Sequence, residues 1–204
     1  MSKLDNFTIH LGSFVVESGK ILVSDPGYDF NIDKYDTKPD AWNLNLLLDS
    51  VVNGQWDSWV VVDETTNRNA QLICVNHNKH DNLEELLNKK EWEILNDVIC
   101  VDSGQAGIYD LDHFKGGDND EWYEKNCDIT LDMDYSAGTI SHGVVSSSGY
   151  GDGMYDCHIF KINDKTTAIR IIFIDDKKKE FYEKIVADPS NYSDDENNSN
   201  DNNN

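Results

Sequence analysis

Apolar residues in this chain fall in short clusters rich in Val, Ile and aromatics and bounded by Gly, Asn or Asp, a pattern that predicts strands rather than long helices. The clusters place strands at Ser13 to Glu17, Lys20 to Ser24, Leu44 to Val52, Trp56 to Asp63 and Ala70 to Asn76. Five more follow at Asp97 to Val101, Gly107 to Asp110, Thr139 to Ser146, Met154 to Ile162 and Thr166 to Ile174. Asn53-Gly54 predicts a tight hairpin turn between two of these runs, and Asn163-Asp164-Lys165 predicts another linking the last two. Helical spacing of Leu83, Leu86, Leu87, Ile94 and Leu95 predicts a helix between Asn82 and Leu95. A second is expected over Asp118 to Cys127, where acids crowd the start and Trp122, Tyr123 and Cys127 share a face, and a short last one around Phe181, Ile185 and Val186.

The expected fold is mainly β, α+β by count: an antiparallel sandwich or strongly curved sheet with two or three short helices, forming a single globular domain over residues 1–187. From Asp188 the chain is mostly Asn, Ser and Asp, with too little apolar surface to offset ordering entropy. Residues 188–204 are therefore expected to be a disordered, acidic, Asn-rich tail.

Charge narrows the classes of partner. The 39 acids outnumber the 17 bases and give a formal net charge of −22, a field that repels nucleic acid and anionic lipid alike. Expected partners are accordingly a small molecule or protein carrying cationic or hydroxyl groups, with no nucleic acid and no membrane. The start of the chain lacks the pattern of a secretory signal, so the expected location is cytoplasmic. Cys74, Cys100, Cys127 and Cys157 form no CxxC pair and read as reduced thiols.

Three segments join an acid to glycines: Ser24-Asp25-Pro26-Gly27-Tyr28, Val101-Asp102-Ser103-Gly104-Gln105-Ala106-Gly107 and Ser148-Gly149-Tyr150-Gly151-Asp152-Gly153. Glycine supplies sharp bends and aspartate bonds nearby amides, so each is a turn carrying a carboxylate. In this order, with Trp122-Tyr123 and Cys127 between the second and third and Arg170-Ile171-Ile172-Phe173-Ile174 after them, the segments resemble an uncharacterised, mainly bacterial family known only as a domain of unknown function. The resemblance runs from about Lys20 to about Ile174 and implies no activity, cofactor or catalytic residue.

The candidate ligand-binding residues are therefore Asp25, Tyr28, Asp102, Ser103, Gln105, Tyr150 and Asp152, with carboxylates accepting hydroxyl or amine donors and Tyr150 forming a stacking wall. The leading expectation is a noncatalytic binding module built from these turns. One alternative is a metal-assisted hydrolase with Asp25, Asp102 and Asp152 as ligands of a hard cation. Another is a purely structural signature, in which the aspartates cap turns and Gln105 satisfies backbone groups. The Gly149–Gly153 run lacks the spacing of a phosphate loop, and Asp152 would repel an anion. Asp110, Asp112 and Glu121 copy three positions of a calcium loop, but Phe114 and Lys115 fall where an oxygen ligand and a glycine are needed. Ser103 does not sit in a nucleophile elbow, and Cys157 and His158 point to opposite faces of one strand. Of Trp42, Trp56, Trp59, Trp92 and Trp122, the pair Trp56 and Trp59 has opposite strand parity, so one of the two is expected on the outer face.

Overall fold

Strands rich in buried Val, Ile and Leu assemble the chain into two antiparallel sheets in the computed structural model, which describes residues 6–35 and 43–187. In chain order the strands are β1 (Asn6–Val16), β2 (Ile21–Ser24), β3 (Leu46–Leu48), β4 (Gly54–Asp63), β5 (Arg68–Asn76), β6 (Glu93–Val101), β7 (Gln105–Asp110), β8 (Ala137–Ile140), β9 (Gly143–Ser147), β10 (Gly153–Ile162) and β11 (Lys165–Ile172). The helices are α1 (Leu83–Leu87), α2 (Asp120–Asp132) and α3 (Asp176–Ala187). The six-stranded sheet runs β1-β4-β5-β11-β10-β6, and the five-stranded sheet runs β3-β2-β7-β9-β8. The expected mainly β architecture is thus present, as two open sheets. The described residues divide into two compact units, one ending at Phe173 and the other beginning at Ile174. Both sheets belong to the first. In the second, α3 is capped by Asp175, whose Oδ1 accepts the Lys178 amide at 2.7 Å.

The six-stranded sheet is covered on both faces. Val60 and Val62 pack with Ala137 of the smaller sheet, while Val61, Ile73 and Val75 pack under Leu86 of α1 and Trp92. Trp56 and Trp59 divide as strand parity requires: Trp56 is fully buried, with its indole N–H on the Val52 carbonyl, and Trp59 lies half-buried against the α1 cluster. In the smaller sheet every residue of β2 and β7 is buried, because α2 covers one face through Trp122, Tyr109 and Val145. Cys74 of β5 and Cys157 of β10 are buried on either side of β11, opposite Ile169 and Ile171.

Three sequence expectations need correction. Asn53-Gly54 is not a hairpin turn: β3 pairs with β2 in the smaller sheet, whereas β4 pairs with β1 and β5 in the larger one. The predicted helix from Asn82 to Leu95 ends at Leu87, and Ile94 and Leu95 belong to β6, which pairs with β10. The predicted strand from Thr139 to Ser146 is two strands, β8 and β9, folded on each other about Ser141 and His142. The last hairpin forms as expected, with Asn163 at φ 52° and Asp164 at φ 60°. Helix α2 extends past the predicted Cys127 to Asp132 and is capped by Asn119, whose side chain accepts the Trp122 amide. The final helix also forms, as α3. Trp42 and the segment 188–204 lie outside the described residues.

Candidate functional site

The first two acid-glycine turns meet at Asp25. This residue follows β2 directly and is fully buried, and its carboxylate accepts four hydrogen bonds. Oδ1 takes the Gly27 amide and the Ser103 hydroxyl, each at 2.7 Å; Oδ2 takes the amides of Asp102 at 2.8 Å and Ser103 at 2.7 Å. Three backbone donors that would otherwise be orphaned are satisfied by one side chain. Tyr28 binds the same pair of turns from outside. Partial burial raises its phenol, and a hydrogen bond to the Asp102 carboxylate raises it further.

Gln105, by contrast, lies inside β7 with its side chain buried. Its Nε2 reaches the Cys127 sulfur at 3.4 Å, and its Oε1 accepts the Thr130 hydroxyl at 3.0 Å, so it joins the sheet to α2.

The third turn joins the second through the backbone, where the Ser148 amide donates to the Gly104 carbonyl at 2.9 Å. It is closed internally by Ser148 Oγ and the Tyr155 hydroxyl, both donating to the Gly151 carbonyl. Asp152 is exposed on the outside of this turn and, among the described residues, makes no hydrogen bond or ion pair. Asp25 and the Asp102–Ser103 turn are thus brought together, while the Asp152 carboxylate stays apart from their hydrogen-bond network.

What the second and third turns enclose is a polar cleft of about 820 Å³. Gly104, Ser148, Gly149, Tyr150 and Gly151 form one wall; Asn67, Arg68, Asp134, Tyr135 and Ser136 form the facing one. Arg68 ties the walls together, its Nη1 donating to the Gly149 carbonyl at 2.9 Å while its guanidinium lies 5.4 Å from the Tyr150 ring centroid. Left-handed backbone concentrates here. Asn67 at φ 53°, Tyr135 at 61° and Ser136 at 47° line the cleft together with Gly104, Gly149 and Gly151. Asparagine takes that region readily, but holding Tyr135 and Ser136 there costs on the order of 1–3 kcal/mol each, so the surroundings must enforce it. Buried Asn69 does so: its Nδ2 donates to the Tyr135 carbonyl at 2.8 Å, and its other hydrogen is shared between the hydroxyls of Ser146 at 2.9 Å and Ser147 at 3.0 Å.

Arg68, Asn67 and Tyr135 were not candidates from the sequence. Asn67 and Arg68 fall in the short link between two expected strands, where nothing local marks them as part of a site. The union of this wall with the Gly-rich turn depends on contacts spanning 66 to 81 residues. No family model, curated protein sequence or solved structure matches this chain.

Proposed function

We propose that the protein is a noncatalytic binding module for a small, neutral, hydroxyl-rich ligand held in the cleft between the Arg68 and Tyr150 walls. The observation that carries this reading is the lining itself. It combines two tyrosine faces with amide, hydroxyl and backbone groups and with one charge of each sign, Arg68 and Asp134, on a backbone held in place by Asn69. Such a surface offers aromatic platforms and directional hydrogen bonds, which suit hydroxyl groups better than a bare charge. In this reading the acid-glycine turns contribute through Gly104, Tyr150 and the Gly149 and Gly151 backbone, and Asp25, Asp102 and Asp152 are not part of the lining.

A structural role for the first two turns is favoured by Asp25, whose oxygens are all engaged by chain donors. The same engagement counts against Asp25 as a cation ligand in a hydrolase, because a metal would have to displace backbone amides. Kinship with the uncharacterised family resembled by the three segments remains part of the proposal and adds no activity to it. Among the described residues no helix is long and apolar enough to cross a membrane, and we propose a cytoplasmic setting, which suits the four free thiols.

The test is an amide-NMR titration of the full chain with sugars and polyols, alongside acetate, phosphate and putrescine. Saturable shifts at Asn67, Gly104, Tyr135 and Gly149 with a sugar or polyol, abolished by Tyr150→Ala, are expected. Shifts with none of the neutral compounds, or only with the charged ones, would overturn the assignment.

A further inference from the structure

Away from that cleft, three turns remote in sequence bring Glu17, His113 and His142 together. Glu17 follows β1, His113 ends the 3-10 turn Leu111–His113 after β7, and His142 lies in the β8–β9 turn. The imidazoles stack with centroids 3.5 Å apart and planes 7° from parallel. Their Nε2 atoms lie 3.3 Å and 3.7 Å from the same Glu17 oxygen, and all three candidate ligand atoms fall within 4.8 Å of one another.

One buried residue positions all three segments. Asp110 Oδ2 accepts the amides of Glu17 at 2.7 Å and Ser18 at 2.9 Å and the Ser18 hydroxyl at 2.9 Å. Its Oδ1 accepts the Asp112 amide at 3.1 Å, fixing the turn that carries His113. Its own amide donates to the His142 carbonyl at 2.9 Å. A second tie between β1 and the β8–β9 turn runs from the Val15 amide to the Ser141 carbonyl at 3.1 Å. The cluster therefore rests on a fixed backbone frame, with the three side chains turned toward solvent.

We propose that Glu17, His113 and His142 form a binding site for a borderline divalent cation, Zn²⁺ foremost, with Co²⁺ and Ni²⁺ as surrogates. Two imidazoles and one carboxylate match the donor preference of these ions and leave a fourth position open to water. Ligands about 2.1 Å from a tetrahedral ion stand about 3.4 Å from each other, close to both of the Nε2-to-carboxylate separations here. Mg²⁺ and Ca²⁺ prefer all-oxygen sets and are not the ions this site selects.

The experiment titrates the metal-free 204-residue chain with Zn²⁺ by calorimetry in excess Mg²⁺, which occupies scattered surface carboxylates. One saturable equivalent is expected, weakened at least about tenfold in His113→Asn, in His142→Asn and in Glu17→Gln. Circular dichroism checks that each variant is folded, and histidine ¹⁵N spectra of the unaltered protein give a readout that needs no variant. Zn²⁺ should shift Nε2 of His113 and His142 and leave His77 and His80 in place. Identical Zn²⁺ binding in the His113→Asn/His142→Asn double variant, shifts at other histidines, or no saturable equivalent would each overturn the site. The sugar-binding cleft stands or falls separately, since the two titrations report different residues.

Discussion

Ser103 supplies two of the four hydrogen bonds received by Asp25, its backbone amide donating to Oδ2 and its hydroxyl to Oδ1. The pair closes a contact across 78 residues and fastens the turn after β2 to the turn between β6 and β7. Asp25→Asn would place an amide group against donors on one side of the side chain. A loss of about 2–5 kcal/mol is expected, since hydrogen bonds to charged groups contribute roughly 1.5–3 kcal/mol each and buried donors would be left unmet. Ser103→Ala removes only the hydroxyl and should cost about 1.5 kcal/mol. Urea midpoints at unchanged slope measure both. An Asp25→Asn variant as stable as the parent would refute the fastening role.

The glycines of the second and third turns separate backbone conformation from packing. At Gly104 and Gly151 an added Cβ would meet no atom within 4 Å, so any cost comes from φ alone. Gly104, at φ 68°, is in the left-handed region that asparagine adopts readily, whereas Gly151, at φ 107°, is beyond it. Gly104→Asn should change stability by less than about 0.5 kcal/mol, and Gly151→Ala should lower it by about 1 kcal/mol or more. Equal thermal midpoints for these two variants would contradict the assignment.

Asn163 and Asp164 both take positive φ in the β10–β11 hairpin, the geometry for which Asn-Gly is the best match. Asp164→Gly is expected to stabilise the protein by about 0.5 kcal/mol, helped by removal of one negative charge from an already acidic chain, and Asp164→Ala to destabilise it by about 1 kcal/mol. Chemical denaturation of the two variants side by side decides the sign.

Burial lowers the His158 imidazole below the ordinary histidine range, and the Arg170 guanidinium, with Nη2 3.1 Å from Nδ1, lowers it further. Arg170 is itself held over the Trp92 ring at 4.4 Å. His80 is lowered by burial and by Lys89. With depressed pKa values the native state binds fewer protons than the unfolded chain, so stability is full above about pH 6.5 and is lost as pH falls through the native values. Asp57 extends the loss further. Burial opposes its ionisation, but hydrogen bonds from Ser13 and His77 outweigh this and leave its pKa lowered, so its contribution disappears on acidification below about pH 4. Proton NMR should place His158 below its unfolded value, and Arg170→Met should move it upward. A wild-type His158 pKa above about 6.5 would reverse the argument.

Local signals were legible where a strand's neighbours in space are also its neighbours in sequence. The Asn163-Asp164 turn and the antiparallel pairing of β10 with β11 that it closes show this. Asn53-Gly54 carries an equally good turn signal, but the run before it is claimed by β2 in the other sheet, which no local pattern records. Leu83, Leu86 and Leu87 do form a helical stripe; Ile94 continues its spacing by coincidence and is 61% exposed on an outer strand. Residues of the second and third acid-glycine turns line the cleft, and the first two turns meet at Asp25. The burial of Asp25, the inward course of Gln105 and the outward course of Asp152 depend on tertiary contacts and were hidden. The Glu17–His113–His142 cluster was hidden more deeply, because its members are separated by 96 and 29 residues and share only the Asp110 frame.

Cys74 and Cys157, set on either side of β11, turn the interior of the larger sheet into a chemical stopwatch. Burial pushes the Cys157 thiol up to about 12 and the Cys74 thiol well above its usual range, so neither supplies the thiolate that reacts with alkylating agents or oxidants. Modification of either must wait until the strands part, and the two should then be labelled at one common rate. That rate times the opening of the β5-β11-β10 ladder, whereas the more accessible Cys100 and Cys127 are free to react sooner.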